Sequence, residues 1–360
     1  MGLEFTGRYR YPPPDAAWLM QLEEEVIDAD LPIIDAHHHL WDQNDSRYLL
    51  DDVAADVADV ADVADGHRIV ATVFVQAHYG YHMTGADYLA PVGETEKIAA
   101  IADAAQARDL PTEIAAGIVA YADLTLGDQL EAVLDAHDAA AGGRLRGIRH
   151  NVSRDRYFPT GIVFRPASEG LLAEPLYRAG LARLAMRGLS YDAMLYHAQL
   201  PELTDMARTV AALTIILDHI GCVLGIGPYQ GREVNTFRQW RSAMAELARC
   251  PNVVVKIGGL GMIICGASWN DRPMPPSSLE LSRAWRPYFE TCVELFGVDR
   301  CMFESNFPVD KAMYSYRTLW NAFKLLAVGA SADDRTALFS DTAAKAYCIP
   351  MPASKVGKHV

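Results

Sequence analysis

The strongest constraint on the fold is an alternation. Eight short apolar runs, at 33–36, 69–76, 114–121, 145–150, 189–195, 213–218, 253–257 and 301–304, are separated by amphipathic stretches. Runs of this length rich in β-branched residues are strand-like. The segments between them, among them 94–108, 127–140, 171–187, 200–213, 237–248 and 279–296, are long enough for helical crossovers between parallel strands. Run starts lie 24 to 48 residues apart, which suits a (β/α)8 barrel better than an open doubly wound sheet. The open sheet would want a glycine-rich phosphate loop after its first strand, and here that strand runs into His37, His38 and His39. The expectation is an α/β protein, a single TIM barrel over 31–349, with an N-terminal extension at 1–30 and a C-terminal tail at 350–360. A chain of 360 residues with 51% hydrophobic content can fill such a core.

Within the extension, Tyr11-Pro-Pro-Pro14 and Glu23-Glu-Glu25 read as a stiff lead-in and a short polar helix outside the core. The three-residue repeat from Asp56 to Asp65 lacks the alternating oxygens of a calcium loop, and predicts a helix with a drifting acidic edge, closed by Gly66. The glycine-rich stretch 258–266 and the proline-rich 272–276 form the longest irregular connection. Long loops after barrel strands shape the substrate pocket.

The balance of 32 basic against 46 acidic residues, a formal charge of −14, disfavours nucleic acid and anionic membrane surfaces as partners. A small anionic substrate then needs a local basic pocket. Six cysteines without Cys-x-x-Cys spacing read as buried thiols in a reducing compartment, with no disulfide framework. No signal-like start and no apolar run of about 18 residues is present. These features predict a soluble cytoplasmic protein acting on a small molecule, with association between copies left open.

Catalytic side chains of a barrel sit at the C-terminal ends of its strands. Those ends carry His37 and His39, Gln76 and His78, Arg149 and His150, His197, His219, Lys256, and Glu304 with Asn306. His37 and His39, two apart on a strand, point the same way and can reach one metal ion or one substrate. Arg149 offers a planar fork for a substrate carboxylate or, equally, for a structural acid. Glu304 is either a catalytic carboxylate or a structural one paired with Lys256 or Arg149. His67 and His137, in helix-like contexts, read as surface residues.

Several ordered motifs make a resemblance specific: Ile34-Asp-Ala-His-His-His-Leu-Trp-Asp42, Val73-Phe-Val-Gln-Ala77, Gly147-Ile-Arg149, His197 before Gln199-Leu-Pro-Glu202, Leu217-Asp-His-Ile-Gly221 and Cys301-Met-Phe-Glu-Ser-Asn-Phe-Pro308. Together they resemble the amidohydrolase-related barrel hydrolases, in the branch with sugar lactonases and pyrone-dicarboxylate lactonase. The resemblance covers roughly residues 31–349. It implies that His37, His39 and His197 hold one divalent ion, zinc for a nitrogen-rich set, and that His219 binds substrate or moves protons. Arg149, Gln76 and Lys256 fall to substrate binding.

The departure is at strand 8, where Ser305-Asn306 replaces the Ser-Asp of many relatives. A neutral amide is a poor ligand and no base, so a metal-independent mechanism is open. Glu304, two residues earlier on the same strand, is then the candidate base. The resulting expectation is a hydrolase that opens a lactone or related cyclic ester, with Glu304, His219 and Asn306 as catalytic residues. The alternatives are a metal-dependent non-oxidative decarboxylase of a carboxylated ring, and a binding protein that has lost its chemistry.

Overall fold

A computed structural model of the chain describes residues 11–43, 46–57, 66–162 and 166–351. Eight parallel strands form one sheet in sequence order: β1 Ile33–His38, β2 Ile69–Val75, β3 Glu113–Ala120, β4 Leu145–Ile148, β5 Ser190–Ala193, β6 Ile215–Leu217, β7 Val253–Ile257 and β8 Cys301–Phe303. Each lies within one of the apolar runs or within two residues of it. The ring closes between β8 and β1 through two backbone bonds, Asn306 N–H to the His37 carbonyl at 2.8 Å and His39 N–H to the Phe307 carbonyl at 2.7 Å. Asp35 reinforces the seam by accepting from the backbone N–H of Ser305 at 2.8 Å and from the Tyr316 hydroxyl at 3.0 Å.

Alternation along the strands decides what enters the barrel. On β7, Val253, Val255 and Ile257 face the helices, while Val254 joins the interior cluster. Lys256 shares the parity of Val254 and so points inward. On β6 and β8, Ile216 and Met302 lie in that same interior layer, which puts Asp218 and Glu304, two residues further on, into the layer above. Tyr347 and Ile349, just past the last helical turn, fill the lower end of the barrel.

Helices Val92–Ala107, Gln129–Ala141, Pro175–Met186, Leu200–Thr209, Glu233–Leu247 and Ser278–Phe296 occupy the expected crossovers, and Tyr316–Leu326 follows β8. The extension differs from its prediction. Its helical turn is at Ala16–Leu19, where the Asp15 side chain accepts from the N–H groups of Ala17 and Trp18, and Glu23–Glu25 are not helical. A helix at Leu50–Val57 reaches only the first two residues of the acidic repeat; the helix predicted over its remainder, 58–65, lies outside the described residues. His137 is fully buried, with its ring between the Thr95 hydroxyl and the Tyr121 carbonyl, because its helix turns that face to the barrel. His67 is partly covered beside Lys324. All six cysteines are free thiols, and no helix among the described residues is long and apolar enough to cross a membrane.

Candidate active site

The inward parity of β5 to β8 stacks Asp192, Asp218, Lys256 and Glu304 as one charged layer, each with a wholly buried side chain. Lys256 Nζ donates to Asp192 at 2.7 Å and to Asp218 at 2.9 Å. Tyr347 donates its hydroxyl to Asp192 at 2.6 Å. Burial would lower the Lys256 ammonium, but Asp192 and Asp218 outweigh it and raise its pKa. The sequence reading gave Lys256 to substrate; the structure spends its ammonium on two acids in the barrel interior. Neither acid is among the candidates read from the sequence, although inward parity on β5 and at the end of β6 is a readable signal for both.

Above this layer, β1 presents His37 and His39, with their Nε2 atoms 3.1 Å apart. His39 Nδ1 donates to the Val75 carbonyl at 2.7 Å, which fixes the tautomer and turns the lone pair of Nε2 toward His37. His37 Nδ1 lies 2.9 Å from Glu304 Oε2 and 3.3 Å from Lys256 Nζ. Burial lowers the pKa of both imidazoles, helped by Lys256 at His37 and by His37 and Arg149 at His39. His38, on the opposite parity, bonds the Thr72 hydroxyl at 2.9 Å.

Glu304, the candidate base of strand 8, lies between two histidines. Oε1 accepts from His219 Nδ1 at 2.7 Å and from the His219 backbone N–H at 3.1 Å, while Oε2 contacts His37. Burial alone would raise this carboxyl; His219 and His37 outweigh it and hold it down to about 2. A carboxylate that acidic is a weak base. The same contact raises the pKa of His219 against the lowering effect of burial. His219 and Ile220 occupy the left-handed region, at φ 54° and 51°, and such strained backbone gathers at functional sites.

Arg149 enters the mouth directly after β4. Its guanidinium donates to the Gln76 carbonyl, and its Nη1 lies 3.4 Å from both Asp218 and His37 Nε2. Gln76 therefore serves Arg149 through its backbone, while its buried Oε1 has no hydrogen-bond partner. Asn306, at φ 56°, directs its Nδ2 to Asp310 at 3.0 Å. Asp310 also accepts from the Gly261 N–H and the Tyr314 hydroxyl, and burial raises its carboxyl to about 6. A carboxylate at position 306 would face that acid.

His197 is placed apart from this group. Its Nδ1 accepts from the Leu224 N–H at 3.2 Å, and its ring meets Tyr229 edge-on at 5.1 Å. It lines a cavity of about 450 Å³ with Arg154, Arg156, Tyr229 and Arg232. The reason is position: His197 stands four residues past the end of β5, on the loop. Among the described residues, the side chains whose donor atoms lie within 4.8 Å of one another in a metal-compatible group are His37, Asp218 and His219.

Known proteins share this fold and part of this sequence. The chain is 36% identical to an uncharacterized protein, y4mH, of Sinorhizobium fredii over 327 residues, 89% of this chain and 99% of that one. It is 28% identical to an L-fucono-1,5-lactonase of Burkholderia multivorans over 239 residues, 66% of this chain and 73% of that one. A crystal structure of an amidohydrolase from Burkholderia multivorans with bound zinc has the same fold, with a TM-score of 0.65 and 24% identity over 88% of this chain and 99% of that one. The Amidohydrolase family model matches residues 34–349, and the chain belongs to that family as a TIM-barrel enzyme.

Proposed function

We propose that the protein hydrolyses a lactone or related cyclic ester of a small, carboxylated substrate, acting in the cytoplasm. The observation that carries this reading is the His219–Glu304 pair. Glu304 fixes His219 Nδ1, so the other ring nitrogen is the one left for proton transfer, in the manner of a base oriented by a buried carboxylate. In this reading His219 removes a proton from water as the oxygen adds to the ester carbonyl. The ring C–O bond then breaks, and His219 returns the proton to the departing oxygen, leaving a hydroxy acid. The Arg149 fork lies across the same mouth and suits either a substrate carboxylate or the developing oxyanion. The relatives named as lactonases support the substrate class.

A divalent ion fits the donor type of His37 with Asp218 and His219, and zinc is the ion such a set favours. When bound, it would polarise a carbonyl or acidify water. With His219 neutral, as a base must be, Asp192, Asp218 and Glu304 face two cations, Lys256 and Arg149, and the proton that His219 takes up beside Glu304 supplies the third. We therefore assign proton transfer to His219.

The test is hydrolysis of five- and six-membered lactones, with and without a ring carboxylate, before and after chelator treatment. Hydrolysis of a carboxylated lactone that survives chelation and is lost in His219→Asn is expected. Activity lost on chelation and restored by Zn²⁺ would return the chemistry to the ion, and full activity of His219→Asn would remove His219 from it.

A further inference from the structure

The family match begins at residue 34, yet residues 11–32 are bound along the barrel. Asn321 accepts from the Ile27 N–H at 2.9 Å and donates to the Glu25 carbonyl at 2.8 Å. Glu24 accepts from the Ser278 N–H at 2.8 Å, at the start of a helix. Further along, the Trp18 indole donates to the Arg272 carbonyl at 2.9 Å. The segment thus climbs the helices beside β7 and β8 and crosses the long loop after β7. It arrives at the rim where Tyr11 donates its hydroxyl to Met262 Sδ at 3.5 Å.

The Tyr11 ring packs into a separate apolar cluster with Phe158, Tyr196, Cys222, Met262 and Val309. These five come from the loops after β4, β5, β6, β7 and β8, so the cluster is a wall across the C-terminal end of the barrel, where such enzymes bind substrate. Two of its members adjoin the chemistry. Cys222 is three residues after His219, and Val309 precedes Asp310, which holds Asn306. The upper layer of the barrel interior is charged, and this cluster is the apolar packing beside it.

We propose that residues 11–30 are part of the active-site enclosure and that Tyr11 is a specificity-determining residue, giving the wall against which a cyclic ester with an apolar or aromatic face packs. The substrate part of this rests on the lactonase reading; the enclosure part does not. Burial raises the Tyr11 phenol well above its ordinary pKa, so the hydroxyl stays neutral and the ring acts as an apolar surface.

The full-length chain carrying Tyr11→Ala or Tyr11→Phe tests this with two readouts. The first compares a benzo-fused or alkyl-substituted lactone with the unsubstituted ring. Tyr11→Ala should raise KM for the substituted lactone by about tenfold or more, the usual weight of lost apolar packing in discrimination, and by less for the unsubstituted ring. Tyr11→Phe, which keeps the ring, should preserve the ratio of the two KM values. An equal change in KM for both lactones, or a higher kcat/KM for both, would overturn the specificity role.

The second readout is maleimide labelling mapped by peptide mass. Cys222 is buried and Cys348 exposed, so Cys348 should label in every form and Cys222 only in Tyr11→Ala. Equal protection of Cys222 in Tyr11→Ala would refute the enclosure whatever the lactones show. Exposure of Cys222 without any lactone hydrolysis would sustain the enclosure and count against the lactonase reading instead.

Discussion

At the scale of single residues, one carboxylate organises the site. Glu304 touches both His37 and His219, and its charge is what raises the His219 pKa. Glu304→Gln keeps the shape and removes that charge. The expected outcome is a kcat lower by about 10²–10⁴-fold, with the acidic limb of the kcat/KM profile moved to lower pH. The sign follows from the coupling: a histidine that loses its carboxylate partner holds its proton less tightly and becomes a base at lower pH. A pH–rate series on the best lactone checks both, and an unmoved acidic limb would show that another group titrates. The resemblance to lactonases marked position 304 through Asn306. Sequence alone left two partners open for Glu304, Lys256 or Arg149, and the fold supplied neither, because Lys256 lies between Asp192 and Asp218.

At the scale of elements, the turn after β7 is a bed for two side chains from other strands. A Cβ at Gly258 would stand 2.3 Å from Glu304 Cγ, and one at Gly259 would stand 2.5 Å from His219 Nδ1. Gly259 also has φ +63°, which costs an alanine about 1 kcal/mol or more. Gly259→Ala should therefore leave a folded barrel, seen by circular dichroism, with kcat reduced on the order of 10²-fold as His219 is pushed off Glu304. Normal turnover in a folded Gly259→Ala would show that the His219–Glu304 contact is dispensable. The sequence reading placed this glycine-rich stretch at the substrate pocket. It had no means of seeing that the first two glycines clear space for residues 304 and 219.

At the scale of the whole molecule, the barrel holds many imidazoles neutral by burial. The pKa values of His38 and His67 are lowered to about 3, and those of His78, His137 and His197 to about 4. In the unfolded chain these groups take up protons near pH 6.5, so the unfolded state binds more protons between about pH 4 and 6.5 and stability falls as pH drops through that window. Asp35, Glu94 and Asp310 oppose this. Burial raises them to about 6, 7 and 6, and they add stability as they protonate in the folded state. Five histidines outweigh three carboxyls, and His37 and His39 add to the histidine side. Calorimetry should show Tm falling from pH 7 to pH 5; a flat or rising Tm would contradict the buried-neutral histidines.

The strand and helix pattern was legible because it is local. Short apolar runs rich in β-branched residues and long amphipathic crossovers need no partner to be recognised, and their number and spacing select the barrel. The ends of the strands were equally legible, and with them His37, His39, Arg149, His219, Lys256 and Glu304 as members of one neighbourhood. What those residues touch was decided by the closed ring alone. Closure brings β5 to β8 around a shared interior, so Lys256 meets Asp192 and Asp218 across separations of 64 and 38 residues, and Glu304 meets His219 across 85. His197 shows the same limit from the other side. A motif placed it with the ion-binding pair, but the distance it travels along the loop past β5, and the Leu224 N–H that holds its ring, are set by packing. The extension was the least legible part, since prolines and acids give no period, and only the helices it lies against show where Tyr11 ends.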